Sequence, residues 1–372
     1  MTQTNLNNTS KKIGVVITGG TSLMIRDSNG NLMPPPDSAK RFHEVFDPVL
    51  NPIAQIEVNP VMNKDSSNML PSDWQVISKA VYQFVCRSDI DGVVVLHGTD
   101  TMAYSSAATA LALGANLNKP VIFTGAQANP DVSAGDSLIN IVNSVQLASS
   151  DLAEVAIVFA HRIIRGGCGT KIDEKKYDAF RSVNMPELGW LTPEGIELSL
   201  LAKKRLPERE VININFNNHF SEQVLSIQLE PNNSANSNAF QALLEKKDDK
   251  LSNWPYYKVI ILTALGAGNV PDSWLSFIEK ATKLGIAVIL TSPFPGHSTL
   301  QSRYLTGVKA ISAGAIATGN LTHEMVKVKA SWAVGCLLNS ANPPSCGSEY
   351  LSEIANIMNN SYVGETGGSY KR

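Results

Sequence analysis

The stretch Asp91-Gly92-Val93-Val94-Val95-Leu96-His97-Gly98-Thr99-Asp100-Thr101-Met102 constrains this chain more than any other part of it. A run of apolar, β-branched residues without alternation reads as a strand buried on both faces, as in the middle of a parallel sheet. It stops abruptly at His-Gly-Thr-Asp-Thr, which delivers hydroxyls and one carboxylate to the carboxyl edge of that sheet. Open α/β sheets bind their ligands at this edge. A Thr-Asp standing alone would read better as the cap of the following helix.

A second copy of the arrangement favours a site. Ile13-Gly14-Val15-Val16-Ile17 runs into Thr18-Gly19-Gly20-Thr21. Paired glycines let the backbone turn sharply and bring amide N–H groups close to a carboxylate or an oxyanion. A dinucleotide fingerprint begins the same way, but there is no third glycine at the right spacing. No strong helix follows either, since Arg26 to Pro36 reads as a loop. A third strand end, Thr124-Gly125-Ala126-Gln127, repeats the pattern, so threonines from separate segments can converge on one crevice.

Further apolar strand candidates lie at Val121–Phe123, Val155–Phe159, Val224–Leu229, Val259–Leu262 and Ile286–Leu290, separated by helical patterns. Alternation of this kind predicts a parallel sheet with crossover helices. Ile77, Ala80, Val81 and Phe84 keep helical spacing behind a Ser72/Gln75 capping box, and Leu138, Ile141, Val142 and Val145 make one helical face after Asp136. Pro271 and Gly285 frame a later helix. With 372 residues the chain has room for two domains. The predicted division is a tail at 1–12, an N-terminal α/β domain at 13–202, a charged, proline-interrupted linker at 203–221, a smaller C-terminal α/β domain at 222–338 and an extension at 339–372. Pro231 to Asn238 reads as a polar loop.

A net charge of −2 gives no reason to expect nucleic acid or an anionic membrane as partner. No apolar stretch has the length of a membrane span. Cys86, Cys168, Cys336 and Cys346 lack metal-type spacing and read as unpaired thiols of a reducing compartment. Cys168, in a glycine-rich loop, is a candidate reactive thiol. The scattered histidines offer no metal site, and His97 reads as a hydrogen-bonded residue of the strand end.

Thr18-Gly19-Gly20-Thr21, Gly92 to Met102, Lys119 to Gly125 and Gly169-Thr170-Lys171 together resemble the bacterial-type L-asparaginases of the asparaginase/glutaminase family. Asp65-Ser66-Ser67-Asn68-Met69 with Pro71-Ser72-Asp73-Trp74 resembles the cytoplasmic type I branch, and the similarity runs from Ile13 to about Leu338. The resemblance implies two α/β domains, the larger N-terminal one carrying most of the site and a neighbouring subunit completing it in a homodimer or homotetramer. It implies Thr21 as the nucleophile, with Thr99, Asp100 and Lys171 moving protons. It places Gly20, Ser66, Ser67, Gly98, Thr99, Asp100, Ala126 and Asn269 around the substrate, Asn269 reaching into the partner's site. The implied reaction is hydrolysis of L-asparagine, with L-glutamine as a further substrate, and it calls for no metal or organic cofactor.

The chemistry is coherent. A threonine hydroxyl needs a positioned base or relay before it attacks, and a lysine beside a carboxylate can belong to such a relay. Each residue also has a simpler reading, Thr21 and Thr99 as helix caps, Lys171 as a solvated lysine and Asn269 as a turn residue. The chain departs from the family at the lid. Ser22-Leu23 replaces the usual Ile and small residue, and no tyrosine stands between Thr21 and Tyr82. The glycines of Gly166-Gly167-Cys168-Gly169 are expected to loosen Lys171. A catalytically weakened asparagine- or aspartate-binding regulator is therefore the alternative. A component acting on charged tRNA would call for an RNA-binding domain or a basic patch, and the sequence shows neither.

Overall fold

Every apolar run singled out in the sequence forms a strand. The first part of the chain supplies β1 (Lys12–Ile17), β2 (Ile25–Arg26), β3 (Leu32–Met33), α1 (Ser38–Leu50), β4 (Gln55–Pro60), α2 (Pro71–Val85), β5 (Gly92–Leu96), α3 (Met102–Leu113), β6 (Val121–Thr124), α4 (Ser137–Ala148) and β7 (Val155–Phe159). Then follow β8 (Arg162–Arg165), β9 (Gly169–Lys171), β10 (Phe180–Ser182), β11 (Gly189–Thr192) and β12 (Gly195–Leu198). The remainder gives β13 (Val224–Gln228), α5 (Asn238–Glu245), β14 (Val259–Thr263), α6 (Leu275–Lys283), β15 (Ala287–Thr291), α7 (Leu305–Ser312), β16 (Ile316–Ala317), α8 (His323–Leu338) and α9 (Ser348–Asn359). This computed structural model describes residues 11–231, 238–245, 255–294, 304–344 and 347–366. Residues 1–10 of the expected tail, 232–237 of the polar loop and Cys346 lie outside the described residues.

The large sheet has the order β12-β11-β8-β7-β6-β5-β1-β4. Strands β4, β1, β5, β6 and β7 pair in parallel, whereas β8, β11 and β12 are antiparallel additions, so the expected parallel sheet is mixed. The short segments after Phe159 carry Arg, Gly and Trp instead of β-branched runs, which hid these strands from periodicity. The second sheet, β13-β14-β15-β16, is parallel throughout.

Alternation along the central strands explains the layers. Val16, Val93, Val95, Val121 and Phe123 face α2 and α3 through Ile77, Val81, Phe84 and Leu111. Ile13, Val15, Ile17, Val94, Leu96 and Ile122 face α1 and α4 through Phe42, Phe46, Leu50, Ile141 and Val145. Burying one such side chain contributes about 1.5–3 kcal/mol. The face of α4 differs from expectation. Leu138 is exposed, and Asn140 turns inward to donate to the Gly125 carbonyl and accept from the Ala160 N–H. The start of α2 differs as well: Pro71 occupies the first turn, Leu70 is the cap residue, and the Asp73 carboxylate accepts from the Leu70 N–H at 2.8 Å. Pro at that position loses no helical hydrogen bond, so the boundary falls before Ser72.

The two units share a core. Met325, Val328 and Trp332 of α8 and Tyr350 and Ile354 of α9 belong to the same buried cluster as Ala107 and Leu111 of α3. Alanines along α3 let α8 approach closely, and both helices are buried on most sides, as helices without a narrow apolar stripe must be. Part of the stretch expected as an extension is thus the helix α9, packed on α8.

A buried ion pair ties the end of β8 to this arrangement, Arg165 Nε donating to Glu154 at 2.7 Å with both side chains about 5% exposed. Removing one partner of such a pair leaves an uncompensated charge and costs roughly 3–5 kcal/mol. Glu154→Gln is expected to lower the unfolding free energy by about 3 kcal/mol, read as a shift in the urea midpoint at constant m-value.

Candidate active site

Beyond the last rung of the sheet, the segments that follow β1 and β5 meet at Gly20 and Gly98. Gly20 has φ 97°, and a Cβ there would lie 2.6 Å from the Gly98 nitrogen, so neither position has room for a side chain. A Cβ on Gly98 would in turn strike the Ser66 hydroxymethyl group. Thr21 and Thr99 each follow one of these two contacting glycines, which sets them at neighbouring strand ends. Thr21 opens a 3-10 turn, Thr21–Leu23, and is half-buried. Thr18 and Thr124, by contrast, are fully buried and donate to the Leu96 and Val158 carbonyls, so they serve the sheet.

The opposite wall comes from β9. Lys171 Nζ donates to Thr99 Oγ1 at 2.9 Å, to Asp100 Oδ1 at 2.7 Å and to Glu174 Oε2 at 2.8 Å. An ammonium has three donors, and all three are matched. The lysine side chain is 10% exposed whereas Asp100 is 53% exposed, so the cation is shielded and its carboxylates face the opening. Thr99 Oγ1 points its own hydrogen to Gln127 Oε1 at 3.4 Å. The Gln127 amide donates to the carbonyls of Asp173 and Lys176 and so fixes the turn that carries Glu174.

Ser66 is buried at the start of a short 3-10 turn, and its carbonyl accepts from Thr101 Oγ1 at 2.8 Å. Ser67 is exposed and donates from both N–H and hydroxyl to Asp65, whose carboxyl those bonds hold below the usual range. Ala126 is buried, followed by two N–H groups that donate to Asp136. Asn269 lies in the C-terminal unit, accepting from Thr306 Oγ1 at 2.8 Å. Among the described residues it makes no hydrogen bond to the cluster. Sequence reasoning passed over Gln127 and Glu174. Gln127 closes the third strand-end quartet and Glu174 is three residues past Lys171, so both were within reach of the motifs.

Two expectations are corrected. The stretch Arg26 to Pro36 contains a hairpin, β2 with β3, whose turn is held by the Asp27 carboxylate accepting from the Asn29 and Asn31 N–H groups at 2.8 Å. Leu32 and Met33 are exposed on it. Cys168 is buried, and burial pushes its thiol up to about 12, which removes thiolate reactivity.

Known proteins of one family share this sequence pattern and fold. The sequence matches the family described as Asparaginase, N-terminal over residues 12–204, and that described as Glutaminase/Asparaginase C-terminal domain over residues 238–342. The chain belongs to the asparaginase/glutaminase family. Among curated relatives, a Glutamyl-tRNA(Gln) amidotransferase subunit of Methanothermobacter thermautotrophicus is 30% identical over 358 residues, 93% of this chain and 77% of that protein. Its counterpart in Pyrococcus abyssi is 29% identical over 367 residues, 95% of this chain and 76% of that protein. Among solved structures, the thermostable L-asparaginase from Thermococcus kodakarensis matches with a TM-score of 0.77 and 25% identity, covering 96% of this chain and 100% of that one. L-asparaginase I from Vibrio cholerae matches with a TM-score of 0.76 and 25% identity, covering 96% and 99%.

In this asparaginase/glutaminase-family chain His97 is a structural part of the site floor. It is fully buried, its Nδ1–H donates to the Gly98 carbonyl at 2.7 Å, and its Nε2 has no partner among the described residues. Burial pushes its pKa down to about 4. The unfolded chain binds the proton near pH 6.5, so between these values unfolding takes up a proton. Stability is complete above about pH 6.5 and falls as the pH drops toward 4, by an amount of order 3 kcal/mol. Urea titrations at about pH 7 and about pH 5 are expected to show about 2 kcal/mol of this loss in the parent and none in His97→Gln.

Proposed function

We propose that the chain is an L-asparaginase of the type I kind, hydrolysing L-asparagine to L-aspartate and ammonia, with L-glutamine as a slower substrate. The observation that carries the reading is the Lys171 ammonium bridging Thr99 and Asp100 beside the Gly20–Gly98 contact. Thr21 Oγ1 attacks the side-chain amide carbon, and main-chain N–H groups of the glycine turns face the developing oxyanion, each donor worth about 3–4 kcal/mol. Lys171 first passes a proton to Asp100; as Thr21 attacks, its proton moves to Thr99 Oγ1 while Thr99 gives its own to the Lys171 lone pair, and the Asp100 carboxyl returns a proton to the departing nitrogen, so the lysine and the carboxylate end as they began. Nitrogen leaves as ammonia, and water cleaves the acyl-threonine ester to release the acid and restore the hydroxyl. Ser66 and Asp100 are assigned to the substrate's α-carboxylate and α-amino group. Gly20, Ser67, Gly98, Thr99, Ala126 and the Asn269 of a neighbouring subunit line the rest. The assembly would be a homodimer or homotetramer, in the cytoplasm.

The fold match extends over the whole of the solved L-asparaginase chains, which supports the asparaginase reading over that of an amidotransferase subunit. The identity to those subunits keeps glutaminase as the second reading. No described helix is long and apolar enough to cross a membrane.

Ammonia release from L-asparagine and L-glutamine, with Thr21→Ala and Thr99→Ala beside the parent, tests the proposal. Saturable release favouring asparagine, reduced ~10²–10⁴-fold in both variants, is the expected result. A preference for glutamine would support the glutaminase reading. Thermal stabilisation by asparagine without turnover would establish a binding protein that lost its lid chemistry.

A further inference from the structure

Lys171 stands at the end of a segment whose sequence looks soft, since Gly166-Gly167-Cys168-Gly169 connects β8 to β9. The slack is taken up from the far end of the chain. Lys329 of α8 and Glu365 are paired at 2.7 Å with both side chains fully buried. The Glu365 carboxylate also accepts from the Val363 N–H at 2.8 Å, the Tyr362 N–H at 3.0 Å and Ser361 Oγ at 3.1 Å. Residues 361–363 are thereby wrapped around one carboxylate.

This turn is pressed onto the glycine segment. Cys168 Sγ donates to the Glu365 carbonyl at 3.8 Å, and Arg165 Nη1 donates to the Gly364 carbonyl at 3.4 Å. A Cβ on Gly167 would lie 2.5 Å from Met325 Cε and 3.3 Å from Glu365 Cβ. From the opposite side Ser106 Oγ donates to the Gly166 carbonyl at 2.9 Å, and the Val183 N–H donates to the Cys168 carbonyl at 2.9 Å. The next residue but one, Thr170, donates to Glu324 of α8 at 2.6 Å. Helix α8 therefore holds the Glu365 turn through Lys329 and the catalytic strand through Glu324.

We propose that Glu365, fixed by Lys329, is a positioning residue that clamps the 166–169 segment and so sets where Lys171 meets Thr99 and Asp100. The proposal rests on the amidohydrolase reading for its kinetic part alone. A stabilising role explains the pair poorly, because buried ion pairs gain little over apolar replacements, whereas fixing one arrangement is their best attested use. Displacing a catalytic group by about 1 Å from a distant position can cost ~10²-fold in rate.

The test is Glu365→Gln in the full chain, assayed well below its unfolding temperature. The expected result is a kcat lower by about ten- to a hundredfold with KM for L-asparagine changed less than about threefold. Amide hydrogen exchange should accelerate at 166–172 relative to β1 and β5. Lys329→Met combined with Glu365→Met should recover thermal stability without recovering kcat, because the carboxylate is what turns 361–363. If Glu365→Gln does not fold, Gly167→Ala, which pushes on the same contact without burying a charge, is expected to show a smaller loss of the same kind. Parental kcat and parental exchange at 166–172 in a folded variant would overturn the clamp. A parent that releases no ammonia would overturn the amidohydrolase reading, and the exchange comparison would then decide the clamp by itself.

Discussion

The approach of Gly20 to Gly98 is the contact on which the rest of the site depends. Parallel strands leave their carboxyl ends side by side at a spacing set by main-chain hydrogen bonding, about 4.8 Å. Whatever follows each strand must turn away at once or collide. A side chain at either glycine would push the ends apart and with them Thr21 and Thr99. The Thr18 N–H and hydroxyl both donate to the Leu96 carbonyl and lock the last rung before this divergence, so the geometry beyond it is inherited from a rigid sheet.

A second constraint is independent of the first. Strand β9 pairs with β10 and stands outside the large sheet, so the order of the sheet does not place Lys171. Its position comes from tertiary packing: α3 lies against α8, α8 against α9, and the glycine segment fits between them. The helices that complete the C-terminal part of the chain are in this sense structural members of the N-terminal site. The division into a large and a small unit describes the two sheets better than it describes the core.

Much of this was legible in the sequence, and the legible part has a common cause. Strands β1, β5, β6, β7, β14 and β15 are buried on both faces, so composition alone marks them. The polar groups at the ends of β1, β5 and β6 stand where uninterrupted apolar runs stop. Strands β8 to β12 are short and partly exposed, and they pair locally, which leaves no periodic signature. The hairpin of β2 and β3 rests on one aspartate closing a turn, a local event inside a stretch without apolar pattern. The glycines before Thr170 were the most misleading. Glycine signals either slack or intimate packing, and only the partner surface, here Met325 and Glu365, decides which.

The shell around Lys171 has a consequence in its charge balance. One ammonium is matched by two carboxylates, Asp100 and Glu174, so this group of three carries an excess of one negative charge at the mouth of the site. A zwitterionic amino acid entering amine first brings the missing cation and turns an unbalanced trio into a balanced set of four. A molecule of the same shape with its amine masked brings none and meets the local excess unrelieved. Since Asp100 and Glu174 are 53% and 74% exposed, such a discrimination would be made in partly hydrated surroundings and would fade with ionic strength over a screening length of about 8–10 Å.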